Sequence, residues 1–218
     1  MKDRNYEFES LVEFILKEIN SIHELLQQVE WENPDSYGQW LAQTYYYVLQ
    51  ATRLLSYAAS RCSFEQEEMH RSLLKGAAEE MGHELLALND MKALSLDIES
   101  FSELPETAAY HQTLYYAIDH DGPIALLGYF LPLEGVASLR MRPIYEKLCQ
   151  SYTRKAASFL QVHCELDVNH FEEGINELES LTAEQREVVR RNVSISVQLY
   201  KSIVLRIIQA NKVSSLAA

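Results

Sequence analysis

From Phe8 to Trp31 the chain reads FESLVEFILKEINSIHELLQQVEW. Phe8, Leu11, Val12, Ile15, Ile19, Ile22, Leu25, Leu26 and Val29 recur there mostly at steps of three and four. A half-buried strand would place every second residue inward, whereas this spacing gives one apolar face to a helix. The same period runs through most of the sequence, and only seven glycines and five prolines in 218 residues interrupt it. A β sandwich or barrel needs many more tight turns than that. The expected class is all-α.

The punctuation divides the chain into seven to eight helices. ENPDSYG ends the first at Pro34 and Gly38, with Asp35 or Ser36 placed to cap the second, QWLAQTYYYVLQATRLLSYAASR. A third is expected from about Ser63 to Leu94, opened by a capping box of Ser63 and Gln66. Gly76 and Gly82 lie inside it, where each weakens the helix and leaves room for a close approach. DIESFSELPE is a linker; a helix from about Thr107 to His120 follows, and DGP puts Pro123 in the first turn of the next. That next helix, IALLGYFLPLEGVASL, carries Pro132, which lacks a backbone donor and is expected to kink it near Gly128. A short helix after Pro143 leads to a long one over about Thr153 to Leu181. TAEQ at Thr182 to Gln185 then caps the last, which turns Val188, Val189, Ile195, Leu199, Ile203 and Ile207 inward. Long helices joined by short loops imply one helical bundle, with residues 1–218 as a single domain.

The net charge is −13. That field repels nucleic-acid backbones and anionic membranes, so neither is an expected partner. MKDRNYEFES lacks the apolar core of a secretory signal, and no apolar run approaches the length of a membrane span. Cys62, Cys149 and Cys164 are odd in number, and so few thiols fit a reducing compartment, the cytoplasm.

Three segments carry polar residues where a bundle interior would be apolar. In HCELDVNH, Asp167 is turned by about 40° from His163 and His170 by about −20°, so the three share one helix face. With seven histidines and 32 acidic residues, such a trio arises by chance in roughly one chain of this size in thirty. The trio alone therefore does not separate a metal site from a solvated face. EEMGHE adds Glu80 and His83 at the Glu-x-x-His spacing that bundles use for di-metal centres. Leu73, Leu74, Ala77, Met81, Leu85 and Leu88 form an apolar stripe whose edge holds Glu80; Glu79 points away from it, and Glu84 is held in reserve. Glu134 is the one charge between Asp121 and Arg140, and a lone carboxylate in an apolar helix is costly to bury without a partner. Arg140 or Arg142 could be that partner, or a cation could.

Glu80, His83, Glu134, His163, Asp167 and His170 thus offer three carboxylates and three imidazoles from three helices. That donor set suits two divalent iron ions, or manganese, better than tetrahedral zinc, and leaves coordination positions open for O2.

Taken in order, YYYVLQATRLLSYAA, EEMGHELLALNDMKAL, GPIALLGYFLPLEG and HCELDVNH resemble the haem-oxygenase-like di-iron oxidases, related in fold to the TenA and PqqC proteins. The resemblance covers most of residues 39 to 180. It implies a haem-oxygenase-like bundle with a labile di-iron centre on Glu80 and His83, Glu134, and His163, Asp167 and His170. It also implies O2-dependent oxidation of a small organic molecule. Some relatives place the third-helix glutamate where this chain has Gly76, and an acid or histidine near Tyr46, where it has three successive tyrosines. Trp40, Tyr45, Tyr46, Tyr129 and Phe130 are candidates for an aromatic substrate pocket, with plain core packing as the alternative for each. Two other functions fit the same bundle. A TenA-type hydrolase of a thiamine-derived pyrimidine would need a cysteine nucleophile, Cys164 or Cys149. A non-catalytic bundle could bind haem through His163 or His83, or bind protein; a homodimer is compatible with every reading.

Overall fold

The computed structural model describes the backbone from Lys2 to Ala217 and the side chains from Glu7 to Ala210. Regular structure among these residues is helical throughout. The α-helices are α1 (Lys2–Leu26), α2 (Pro34–Val48), α3 (Ala51–Arg61), α4 (Glu67–Glu79) and α5 (His83–Ala93), then α6 (Pro105–Asp121), α7 (Leu127–Arg140), α8 (Arg142–Ser151), α9 (Ser158–Ser180) and α10 (Ala183–Ala217). Two expected helices are each divided by a short turn, at Leu49–Gln50 and at Glu80–Gly82. Counting each divided helix once reduces ten segments by two, to eight.

Local chemistry sets several of the ends. Asn33, not Asp35 or Ser36, caps α2: its Oδ1 accepts the Asp35 backbone N–H at 3.0 Å, Pro34 opens the helix, and Gly38 lies inside it. Thr182 and Gln185 form the expected reciprocal cap, with Oε1 of Gln185 accepting from Thr182 N at 2.9 Å and Oγ1 of Thr182 accepting from Gln185 N at 3.2 Å.

α1 buries Leu11, Ile15, Ile19, Ile22 and Leu26 against α7 and α10. α10 answers with Val189, Val193, Val197, Ile203, Val204 and Ile207; Ile195 faces solvent, because it stands about 200° from Val193 around the helix. At the centre, α7 packs against α9, α10 and α1. A Cβ on Gly128 would lie 2.5 Å from Asn192 Cβ and 2.7 Å from its carbonyl carbon, so α7 crosses α10 at near backbone contact. A sharp bend follows Arg140, where Pro123–Arg140 and Arg142–Ser151 meet at 61°. Pro132 is accommodated within α7. Among the described residues no single helix is long and apolar enough to cross a membrane.

The third expected helix departs most from its periodicity. Gly82 adopts φ +91° and breaks it, so Glu80 ends α4 and His83 opens α5. A Cβ there would meet nothing within 4 Å, so this glycine serves the turn and no close approach. Leu74, Met81 and Leu85 are consequently exposed, and α4, packed chiefly on α3, buries only Ala77.

Candidate metal centre

The turn at Gly82 folds Glu80 and His83 toward each other and toward α9. One donor atom from each of Glu80, His83 and His163 lies within 4.8 Å of the other two. Glu80 and His83 are neighbours across a turn, with Oε2 3.3 Å from Nδ1, rather than partners on one continuous helix. Nδ1 of His83 is buried and in no hydrogen bond, the contact with Glu80 being poorly aligned for one. Its ring meets that of His163 edge-on, centroids 5.0 Å apart.

His163 is oriented from its own helix. Its Nδ1 donates to the Phe159 carbonyl at 2.8 Å, and its ring stacks on Phe159 at 4.0 Å. The Nε2 lone pair is left free for a ligand, the arrangement in which metal-binding histidines are held. One turn on, Asp167 is 5% exposed and its Oδ1 lies 3.6 Å from His170 Nδ1. Burial raises the Asp167 carboxyl despite that contact, and the same carboxylate pushes His170 up to about 9. His170 Nε2 faces Glu79 Oε2 at 3.6 Å. Glu79 therefore turns toward α9, contrary to the sequence expectation; its direction follows the position of α9 and not the apolar stripe of α4. Glu84 takes no part in the cluster.

Glu134 completes the group from α7. Its carboxylate makes no hydrogen bond or ion pair among the described residues, and burial, with the charge of Asp167, pushes it up to about 8. Neither arginine partner is present: Arg140 donates to Asn20 Oδ1 at 3.0 Å, and Arg142 pairs with Glu146 at 3.3 Å. Burial pushes Glu80 upward too, but the His83 imidazole, aided by His163 and His170, outweighs it and holds this carboxyl below the usual glutamate value. In turn, Glu80 raises His83.

Two cavities meet at Glu80, Phe130 and Glu134. The inner one, about 80 Å3, is bordered by His163, Asp167, Trp40, Tyr47, Tyr129 and Tyr200. The outer one, about 230 Å3, opens between α4 and α9 past His170, Glu79, Glu173, Glu177 and Lys75. Trp40, Tyr129 and Phe130 thus line a cavity as expected, whereas Tyr45 and Tyr46 do not; the Tyr46 hydroxyl donates to the Phe101 carbonyl at 2.8 Å. The pocket tyrosine of that triplet is Tyr47. A signal for it was present, since seven residues beyond Trp40 return to nearly the same helix face, about −20° away. Tyr200 follows similarly from the buried stripe of α10. Gly76 borders the outer cavity with only the Leu55 methyls, 3.7 and 3.8 Å away, near its missing Cβ.

No protein of curated function matches the chain in sequence. Among solved structures, a domain of unknown function with a haem oxygenase-like fold from Shewanella denitrificans superposes with TM-score 0.77 at 22% identity, covering 100% of this chain and 94% of that one. A TenA homologue from Pseudomonas syringae pv. tomato gives 0.76 at 15% identity, with 92% of each chain covered. A TenA homologue from P. horikoshii gives 0.70 at 14%, over 93% of this chain and 98% of that one. These likenesses establish a haem-oxygenase-like, TenA-like fold. A family model described as iron-containing redox enzyme matches residues 38–201, a span holding every member of the cluster, and the chain belongs to that family.

Proposed function

We propose that the protein is a non-haem di-iron oxidase acting on a small, partly apolar organic molecule with O2. The observation that carries this reading is the convergence of Glu80, His83 and His163 within 4.8 Å, with the partnerless Glu134 bordering the same cavity. A buried imidazole nitrogen in no hydrogen bond is costly, a half-buried carboxylate without a cation adds to that cost, and a metal ion satisfies both. Glu80, His83 and His163 would hold one ion; Glu134, Asp167 and His170 supply the donors for a second, which bundles of this kind also take from carboxylates and histidines. Iron fits this hard and borderline donor set, and manganese is the alternative.

Bound ferrous iron would supply the electrons that reduce O2. The chain's own part is positioning and proton handling. Glu134 holds a proton on its carboxyl in the metal-free protein at neutral pH, and ligation displaces it. His170, kept protonated between Asp167 and Glu79, gives up its proton in the same way. Trp40, Tyr129, Phe130 and Leu133 wall the inner cavity against water and face an apolar part of the substrate toward Glu134. The substrate that fits this chamber is small.

The TenA-type hydrolase shares the fold but lacks an activated thiol at either cavity among the described residues. Burial pushes the Cys164 thiol up to about 11, and neither Cys164 nor Cys149 borders either of these two cavities. Anaerobic reconstitution with ferrous iron tests the choice. Wild-type protein is expected to take up to two irons per chain, and Glu134→Ala and His163→Ala to lose most of that. Far fewer than two irons, unchanged in both variants, sinks the di-iron reading. Pyrimidine hydrolysis abolished by a thiol-blocking reagent would favour the hydrolase.

A further inference from the structure

α9 has no capping side chain of its own: Ala157 precedes its first turn. The cap comes from α5. Asp90 is fully buried, and its Oδ1 accepts from Ser158 N at 2.8 Å and from Ser158 Oγ at 2.5 Å, while its Oδ2 accepts from Phe159 N at 2.9 Å. No cation pairs with it among the described residues; burial pushes its carboxyl up to about 6, and these three donors, at a helix N-terminus, oppose that rise. One of the residues it holds leads to the cluster. Phe159 receives the Asp90 carboxylate on its N–H, accepts the His163 Nδ1–H on its carbonyl and stacks its ring on the His163 imidazole. On its own helix, Asp90 stands two turns from His83, about −20° around, and so lies on the face of α5 that presents His83.

We infer that Asp90 is the positioning residue of the centre, clamping the first turn of α9 to α5 so that His163 and His83 meet in ligand geometry. The inference rests on the metal-centre reading above but makes a separate prediction for the metal-free protein. A cap alone would add stability and nothing else. The clamp also sets the His163 tautomer, because Nδ1–H is directed at the carbonyl of the residue Asp90 holds.

Asp90→Asn tests it. The amide can still accept from Ser158, but its NH2 faces the Phe159 N–H, donor against donor. Two readouts are needed: the His163 tautomer in metal-free protein, from long-range 15N–1H correlations, and Co(II) affinity from visible absorption. The expected results are a Nδ1–H tautomer in wild type that becomes mixed in Asp90→Asn, and Co(II) binding weaker by about tenfold to a hundredfold, as when a ligand's supporting partner is removed. Phe159→Leu, which leaves the cap intact but removes the stacked ring, should weaken Co(II) binding in the same direction and decides the matter if Asp90→Asn fails to fold. A lowered melting temperature with unchanged tautomer and unchanged Co(II) affinity makes Asp90 a cap only and overturns the inference; unchanged affinity in Phe159→Leu does the same. A tautomer change in Asp90→Asn with no Co(II) binding by wild type upholds the clamp and removes the metal centre.

Discussion

α4 and α9 form facing walls of the outer cavity and are built in opposite ways. α9 buries Phe159, Leu160, His163, Cys164, Asp167, Phe171 and Leu178, and each of its ends is capped from another helix. Asp90 caps its first turn, and Arg186, 4% exposed, donates from Nε to Leu178 O at 3.1 Å and from Nη2 to Glu179 O at 2.9 Å. α4 buries Ala77 alone, ends at a left-handed glycine and reaches α9 through half-exposed charges, Lys75 to Glu173 at 3.7 Å and Glu79 to His170 at 3.6 Å. Such contacts contribute at most about 1 kcal/mol each. The wall that carries three candidate ligands is the one held by packing and buried hydrogen bonds; the other is held by little besides α3.

The contrast is best broken at Arg186. Arg186→Met keeps the apolar stem but removes both donors from the end of α9, and should cost about 3 kcal/mol in urea unfolding. Amide exchange should speed up over the last turns of α9 and stay unchanged in α4. Equal acceleration in both helices would show that the two walls are one cooperative unit.

Glu134, on α7 between the walls, gives a smaller and pH-dependent effect. Its folded value of about 8 lies above the ordinary 4.5, so metal-free protein has its full contribution below about pH 4.5 and loses it as pH rises through about 8. Glu134→Gln removes that loss. The variant should match wild type near pH 4 and exceed it at pH 9 by on the order of 2 kcal/mol in metal-free thermal or urea unfolding, about half of what the raised value gives without solvent screening of this half-buried carboxyl. A constant difference across that range would mean the carboxyl is not held neutral.

The smallest effect is expected at the hinge of the looser wall. A side chain at Gly82 meets nothing within 4 Å, so Gly82→Ala carries only the backbone cost of φ +91°, about 1 kcal/mol. A much larger loss of stability would show α4 to be better anchored than its burial indicates.

Much of this was legible before any fold was drawn. The helical period placed His163 and Asp167 on a common inward face, and the isolation of Glu134 marked it as a carboxylate in need of a partner. The Thr182–Gln185 cap was readable because its bonds span three residues. Among the readings that failed were those that carried one helical period through a glycine. Glu80 and His83 meet across a turn, and Leu74, Met81 and Leu85 face solvent because Gly82 divides the stripe they belong to.

Sequence by itself determined the helical class, several helix ends and six candidate ligands, since period, capping and the cost of a lone buried charge are local properties. Tertiary structure alone decided which neighbour each polar group found. It brought Glu79 to His170, chose Tyr47 and Tyr200 over Tyr45 and Tyr46 for the cavity, and set Asp90 beneath the first turn of α9. These pairings join residues far apart in the chain, where helix packing fixes direction and distance and no local rule reaches.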